Sequence, residues 1–208
     1  PFSMFRRSNK EKVAPQSNRW LVVGLGNPGE EYEKTRHNIG AMLAHQMASG
    51  ANVKFSSHKA RANVAEYRLG VGVDTPSIVV ATLRCYMNES GGPTKALADF
   101  YKVHGDHIII AHDELDIPFQ ATRVKFGGGD NGHNGLKSIT SALGSGDYYR
   151  IRLGIGRPPG QQDPGDFVLK PFASSERKEL SDFLITATHA VESLIHNGLE
   201  KTQQNFNK

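Results

Sequence analysis

The sequence predicts an α/β fold, an α/β sandwich with helices packed on a largely parallel or mixed sheet. Short apolar runs of strand length recur along the chain, and segments with apolar residues at helical spacing separate them. The first run, Trp20 to Leu25, stops abruptly at Gly26-Asn27-Pro28-Gly29. Alternation of these two periodicities marks helices layered on a sheet. At 208 residues the chain can bury one sizeable core, and no internal repeat or composition break marks a second domain.

Each element has its own signal. Residues 1 to 18 have few large apolar side chains and no periodicity, so a disordered basic tail is expected there, with the folded domain spanning 19–208. Trp20 to Leu25 reads as a buried strand ending in a turn. Thr35-Arg36-His37-Asn38 opens a helix whose apolar positions are Ile39, Met42, Leu43 and Met47. Arg61 to Leu69 alternates as a strand, and Ser77 to Leu83 is a more continuous one. A helix starting near Asn88 or Gly92 runs to Val103, and strands follow at His107 to Ala111, Thr122 to Phe126 and Tyr148 to Ile155. Leu136 to Leu143 has a helical pattern. Ser175 to Asn197 carries Leu180, Phe183, Leu184, Ala187, Val191, Leu194 and Ile195 as one long amphipathic helix, with Ser175 to Lys178 a capping box that lacks its acid. Arg157 to Gly165, rich in Pro, Gly and Gln, is expected to be a mobile surface loop.

Composition narrows the function classes. No run approaches the roughly 20 apolar residues of a membrane-spanning helix, and no secretion signal is visible, so a cytoplasmic setting is expected. Cys85 is the only cysteine, which excludes an intrachain disulfide and a cysteine-based zinc cluster. The net charge of +4 resides in the tail, where Arg6, Arg7, Lys10, Lys12 and Arg19 face only Glu11. A second surplus lies between Ile117 and Gly160, where Arg123, Lys125, Lys137, Arg150, Arg152 and Arg157 face Asp130 and Asp147. That local surplus suits a polyphosphate or nucleic-acid backbone, and equally a solvated strand face.

The same segment holds Gly127-Gly128-Gly129-Asp130-Asn131-Gly132-His133-Asn134-Gly135, which contains little that can build a core. It reads as a binding loop at a helix N-terminus, where free backbone N–H groups favour anionic or carbonyl oxygens. Gly24-Leu25-Gly26-Asn27-Pro28-Gly29 matches the dinucleotide fingerprint, but no acidic residue lies between Glu33 and Glu66 to hold a ribose. Pro28 also removes an N–H from the turn, so an oxidoreductase is disfavoured. Asn27 instead places an amide at a strand end, where open α/β sheets bind ligands.

His37 would lie at the same rim, and Asp113 follows an equivalent strand. A carboxylate on one imidazole nitrogen fixes the tautomer and leaves the other as a base near neutrality, able to activate water without a serine or cysteine nucleophile. Asn88 and Asn134 join this rim, although Asn88 also suits a helix N-cap. Three asparagines around a His–Asp pair fit a peptide-like acyl substrate better than a phosphate. His112, Asp113, Glu114 and Asp116 contain possible metal ligands but lack a matching histidine cluster, so no metal is expected.

Taken in order, Val22 to Gly29, Thr35 to Gly40, Tyr86-Met87-Asn88-Glu89-Ser90-Gly91, His112 to Asp116, Gly132 to Lys137 and Arg150 to Pro158 closely resemble the bacterial-type peptidyl-tRNA hydrolase family over about residues 19 to 200. The resemblance implies a single-domain α/β/α sandwich around a twisted mixed sheet, acting as a monomer with no metal or cofactor. It implies hydrolysis of the ester between a peptide and the 3′ end of tRNA. By matching position, His37 would activate water, Asp113 would keep it basic, and Asn27 would read the blocked amino end. Asn88 and Asn134 would hold the peptide and ester carbonyl, while Met87 walls the crevice. Tyr32 and Tyr86 would meet the tRNA end, and Arg123, Lys125 and Arg152 its phosphates. The alternative is a catalytically silent RNA-binding module of the same fold. Leu83 and Cys85 depart from the family's common proline and threonine, and Asp130-Asn131 replaces a commoner His/Glu-Gly pair, which bears on the flexibility of the glycine loop.

Overall fold

A computed structural model describes residues 18–208, and the expected tail lies, apart from Asn18, outside the described residues. The first strand, β1 (Arg19–Gly24), leads through a 3-10 turn at Arg36–Asn38 into α1 (Ile39–Gly50). β2 (Ser56–His58), β3 (Ala62–Arg68) and β4 (Ser77–Leu83) follow, then a second 3-10 turn at Met87–Glu89 and α2 (Gly91–Tyr101). β5 (Ile108–Glu114), β6 (Thr122–Phe126), α3 (Asn134–Leu143) and β7 (Tyr149–Gly154) complete the sheet. The chain closes with α4 (Pro164–Val168), α5 (Ser174–Arg177), α6 (Leu180–Asn197) and α7 (Leu199–Phe206).

All seven strands form one mixed sheet in the order β2-β3-β4-β1-β5-β7-β6. The four central strands are parallel, and β2, β3 and β6 add antiparallel pairing toward the edges. Alternation along each central strand divides the core between two faces. Trp20 and Val22 of β1, Ile78 and Val80 of β4 and Ile151 and Leu153 of β7 pack with α1 and α6. Leu21, Val23, Val79, Ala81, Ile108 and Ile110 face α2 and α3. Both faces are covered, which is why these strands read as continuous apolar runs in the sequence.

Close packing at the strand ends accounts for the glycines of the first motif. A Cβ on Gly24 would sit 2.1 Å from the Gly40 carbonyl oxygen, and one on Gly40 would sit 2.2 Å from that of Ala111. These two glycines let the start of α1 press between β1 and β5, setting the Arg36–Asn38 turn beside the end of β5. Of the fingerprint-like glycines, Gly24 and Gly26 serve contact with the start of α1, while Gly29, at φ 102°, serves the turn.

The structure refines the reading of several segments. The helix expected at 175–197 is interrupted at Lys178–Glu179, where the Glu179 N–H donates to the carbonyl of Glu176 three residues back and α5 gives way to α6. The Glu176 carboxylate accepts the Ala173 N–H at 2.9 Å. That acid, not a Ser175–Lys178 box, caps α5. The surface loop expected at 157–165 is present and mostly exposed; Arg157 Nε donates to Asp116 at 2.6 Å at its start, and Pro164 and Gly165 begin α4 at its end. Asn88 is exposed inside a 3-10 turn and does not cap α2, whose flanking residue is Ser90. The short β2 and the polar α7 carry too little apolar periodicity to be seen in the sequence. α7 covers the open edge of β6, with Asn207 accepting from and donating to the Val124 backbone at 2.8 and 3.0 Å. Among the described residues no helix is long and apolar enough to cross a membrane.

Candidate active site

Parallel pairing puts the C-terminal ends of β1, β4 and β5 on one rim. Asn27 follows β1, Tyr86, Met87 and Asn88 follow β4, and Asp113 lies on β5 itself. The 3-10 turn brings His37 to the same place, where its Nδ1 lies 2.8 Å from Asp113 Oδ2. The expected His–Asp pair is formed. Its other half was not foreseen: His133 Nε2 lies 2.7 Å from Asp113 Oδ1, so the buried carboxylate is held between two imidazoles.

Neighbouring hydrogen bonds fix the tautomers. His133 Nδ1 accepts from the backbone N–H groups of Gly135 and Leu136 at the start of α3, at 3.1 and 3.4 Å. The proton of His133 must then sit on Nε2, where it is donated to Asp113. With both carboxylate oxygens accepting, His37 donates from Nδ1 and its Nε2 is left as the free basic nitrogen. Burial lowers the proton affinity of His37, but the Asp113 charge and hydrogen bond outweigh it, so its pKa lies above the ordinary 6.5. Burial pushes the Asp113 carboxyl up, yet the charges and hydrogen bonds of His37 and His133 hold it well below the carboxylate range. Asp113 is an anion throughout the range in which His37 titrates. His112 packs edge-on against His133 with ring centroids 5.2 Å apart; its Nδ1 meets the Asp113 carbonyl at 2.8 Å, and burial followed by the neighbouring His133 lowers its pKa to about 3.

The glycine loop and α4 close a cavity of about 180 Å³ over this pair, lined by His37, Asp113, Asn131, Asn134, Pro164, Gly165 and Val168 among others. Asn134 is the first residue of α3 and is exposed to the crevice side. Asn27, Met87, Asn88, Tyr32 and Tyr86 lie outside the cavity wall and form a second arc. There the Met87 N–H donates to Asn27 Oδ1 at 2.8 Å, while the Asn38 amide grips the Asn27 backbone from both sides at 2.9 Å. The two arcs touch where Met87 packs on the start of α3; a Cβ on Gly135 would lie 2.7 Å from Met87 Sδ. Because Oδ1 of Asn27 is committed to Met87, its Nδ2 remains the available donor. Tyr32 and the exposed Tyr86 meet edge to face with ring centroids 6.5 Å apart.

The cationic residues occupy a different surface. Antiparallel register sets Arg123 opposite Arg152 and Lys125 opposite Arg150, so four cations share one face of β6 and β7. Arg150 is fully buried, and its guanidinium donates to the carbonyls of Gly128, Gly129 and Gly146, which pins the base of the glycine loop. Lys125 is lowered in pKa by burial and then by its Arg152 and Arg150 neighbours. Arg152 has Glu114 as a partner at 3.4 Å, and Arg123 Nε is buried with no hydrogen-bond partner among the described residues. Asn131, in left-handed conformation at φ 48°, donates to both Glu114 and Asp116 at 2.6 Å. The departure at Asp130-Asn131 thus tethers the loop to the end of β5 rather than loosening it.

A profile of the family described as peptidyl-tRNA hydrolase matches residues 21–208. The chain is 52% identical over 193 residues to the peptidyl-tRNA hydrolase of Kineococcus radiotolerans, a match covering 91% of this chain and 98% of that protein. The chain belongs to the peptidyl-tRNA hydrolase family. A family member from Streptomyces coelicolor is 53% identical over 190 residues, covering 90% of this chain and 94% of that one. The crystal structure of the peptidyl-tRNA hydrolase from Acinetobacter baumannii matches with a TM-score of 0.82 at 31% identity, covering 93% of this chain and 97% of that one. The family's α/β architecture is therefore the one seen here, around the seven-stranded mixed sheet.

His133 is the residue that sequence reasoning left inside the glycine loop without a role. Its position as the imidazole next to Asn134, at a helix start, was the available signal. It also revises the view that no histidine cluster accompanies Asp113, since nitrogen and oxygen atoms of His37, Asp113 and His133 lie within 4.8 Å of one another. A cation at this point would have to displace the two hydrogen bonds to the carboxylate.

Proposed function

We propose that the chain hydrolyses the ester between an N-blocked peptide and the 3′ end of tRNA, with the His37–Asp113–His133 arrangement as its catalytic centre. The carrying observation is the free Nε2 of His37 beside a cavity, with Nδ1 committed to an anionic Asp113. In the reaction, Nε2 takes a proton from water as the oxygen attacks the ester carbonyl carbon. Asp113 stabilises the imidazolium that forms. On collapse, the ester C–O bond breaks and the imidazolium returns its proton to the ribose oxygen, giving a free peptide carboxyl and deacylated tRNA. Asn134 and Asn88 hold the carbonyl and peptide as amide donors and acceptors, and Met87 walls the crevice.

The Asn27 amide supplies a reason for sparing ordinary aminoacyl-tRNA. Its Nδ2 donor suits the carbonyl of a blocked amino end and offers nothing to a free ammonium, which only donates. Arg123, Lys125 and Arg152 carry the phosphates, and Tyr32 and Tyr86 offer faces to unpaired bases. The protein acts as a cytoplasmic monomer without metal. A silent RNA-binding module would not need an imidazole pair locked on a buried carboxylate.

The test follows release of deacylated tRNA from an N-acetylated aminoacyl-tRNA, with the unblocked ester and a chelator-treated sample alongside. Selective, chelator-insensitive release is expected. No release despite tight tRNA binding would leave the RNA-binding reading instead.

A further inference from the structure

Arg36 precedes His37 in the 3-10 turn and is 7% exposed, an unusual depth for a guanidinium outside the cationic face. Its Nη1 donates to the Phe167 carbonyl at 3.3 Å and its Nη2 to Glu176 Oε1 at 3.0 Å. Only Nε lacks a partner among the described residues. The guanidinium carbon lies 3.9 Å from the centre of the Phe167 ring, close enough for a cation–π contact. The backbone follows the same route: the Arg36 N–H donates to the Lys170 carbonyl at 3.1 Å, and Thr35 forms an antiparallel bridge with Pro171. Glu176 Oε1 also accepts the Ala173 N–H, so one carboxylate joins the α5 cap to Arg36.

These contacts run between the two walls of the cavity. His37 stands on one, while Pro164, Gly165 and Val168 of α4 form part of the other. The α4–α5 segment is short and reaches the turn that carries the imidazole through this guanidinium and the adjoining backbone bonds. Its planar fork makes two differently directed hydrogen bonds while stacking on an aromatic ring, which a lysine cannot reproduce.

We propose that Arg36 is a positioning residue of the hydrolytic site: with Glu176 it clamps residues 164–176 against the His37 turn and so sets the width of the crevice and the aim of His37 Nε2. It acts through His37 and α4 and touches no reacting atom. The proposal rests on the hydrolase reading, because the geometry it holds matters only if His37 performs chemistry. A misplacement of about 1 Å can cost on the order of a hundredfold in rate, so the charge-conserving R36K is an informative variant.

The experiment measures kcat and KM on N-acetylated aminoacyl-tRNA, the Kd for deacylated tRNA, and amide hydrogen exchange, for wild type, R36K and E176Q. R36K is expected to lower kcat by about tenfold or more, to leave the Kd for deacylated tRNA within twofold, and to speed exchange in 164–176 but not in 127–135. A folded R36K with kcat within twofold of wild type, or with unchanged exchange in 164–176, overturns the proposal. If R36K fails to fold, E176Q decides: it keeps an acceptor but removes the charge. Its kcat should fall at least threefold at constant tRNA affinity, and an unchanged kcat overturns the clamp. Wild type inactive on this substrate would instead refute the hydrolase reading, while exchange, which needs no substrate, would still report on the clamp itself.

Discussion

The His37–Asp113–His133 centre and the cationic face of β6 and β7 treat charge in opposite ways. At the centre a buried carboxylate has both oxygens occupied by imidazole nitrogens at 2.7 to 2.8 Å, and the tautomer of His133 is dictated by the backbone of α3. On the cationic face Arg150 is buried and satisfied by loop carbonyls, whereas Arg123, Lys125 and Arg152 stand together with Glu114 hydrogen-bonded to Arg152 alone. A charge that is buried must be compensated within the fold, whereas a surface that receives an anion can leave its compensation to the ligand. Chemistry and binding should therefore separate under mutation.

The largest effect is expected from H37A, which removes the base. Turnover should fall by about 10²–10⁴, with tRNA affinity unchanged within twofold; single-turnover release and a binding titration check both halves. Wild-type turnover in that variant would remove His37 from its role. D113N should come next, with kcat/KM down on the order of a hundredfold or more, as for a carboxylate that orients a catalytic imidazole. Its pH dependence sharpens the point. Wild-type activity needs neutral His37, so it should rise with pH through a midpoint above 6.5, because the Asp113 interactions outweigh burial. Without the anion, burial is left to dominate and the midpoint should move toward acid. A midpoint that does not move would dissociate Asp113 from the titration of His37.

The binding side should show the converse. K125A combined with R152A should weaken tRNA by about tenfold at low salt and reduce the slope of log K against log salt by about one to two. Turnover at saturating substrate should stay near wild type. Unchanged affinity across a salt series would rule out this phosphate track. The smallest effect concerns the strand that carries Arg123 and Lys125. N207A removes two hydrogen bonds to Val124, which lies between them, and should cost about 1 kcal/mol of stability. Thermal unfolding should register that loss, with tRNA affinity down no more than about threefold and kcat unaffected, as for a change in one interaction of the binding edge.

Much of this division could be read from residues alone. His37 and Asp113 were paired because each follows a strand-end signal, and parallel α/β sheets gather such ends. They are 76 residues apart, and the pairing was inferred from that topology together with the family resemblance. His133 is 20 residues from Asp113 and escaped because its role depends on how the glycine loop lands over β5, which no local pattern encodes. Arg36 escaped for a related reason: its partners Phe167 and Glu176 lie 131 and 140 residues away, one just past the expected surface loop and the other inside the expected last helix. The break between α5 and α6 left no signal because residues 174–179 hold no apolar side chain whose spacing could mark it, and α7 was missed because its contact with β6 is made by amides instead of an apolar stripe.

By itself, the sequence determined the two-faced apolar strands, the helices that cover them, the glycines that let α1 approach β1 and β5, and the residue types gathered at one rim. Apolar periodicity and steric permission are local properties, so they are legible along a chain. The tertiary structure alone decided that Asp113 would be shared by two histidines, that Asn27 would spend its oxygen on Met87 and keep its N–H donors, and that Arg150 would be buried while Lys125 and Arg152 kept partial exposure. Those outcomes depend on directions of hydrogen bonds between segments distant in the chain, and a direction exists only after the strands and loops have taken their places.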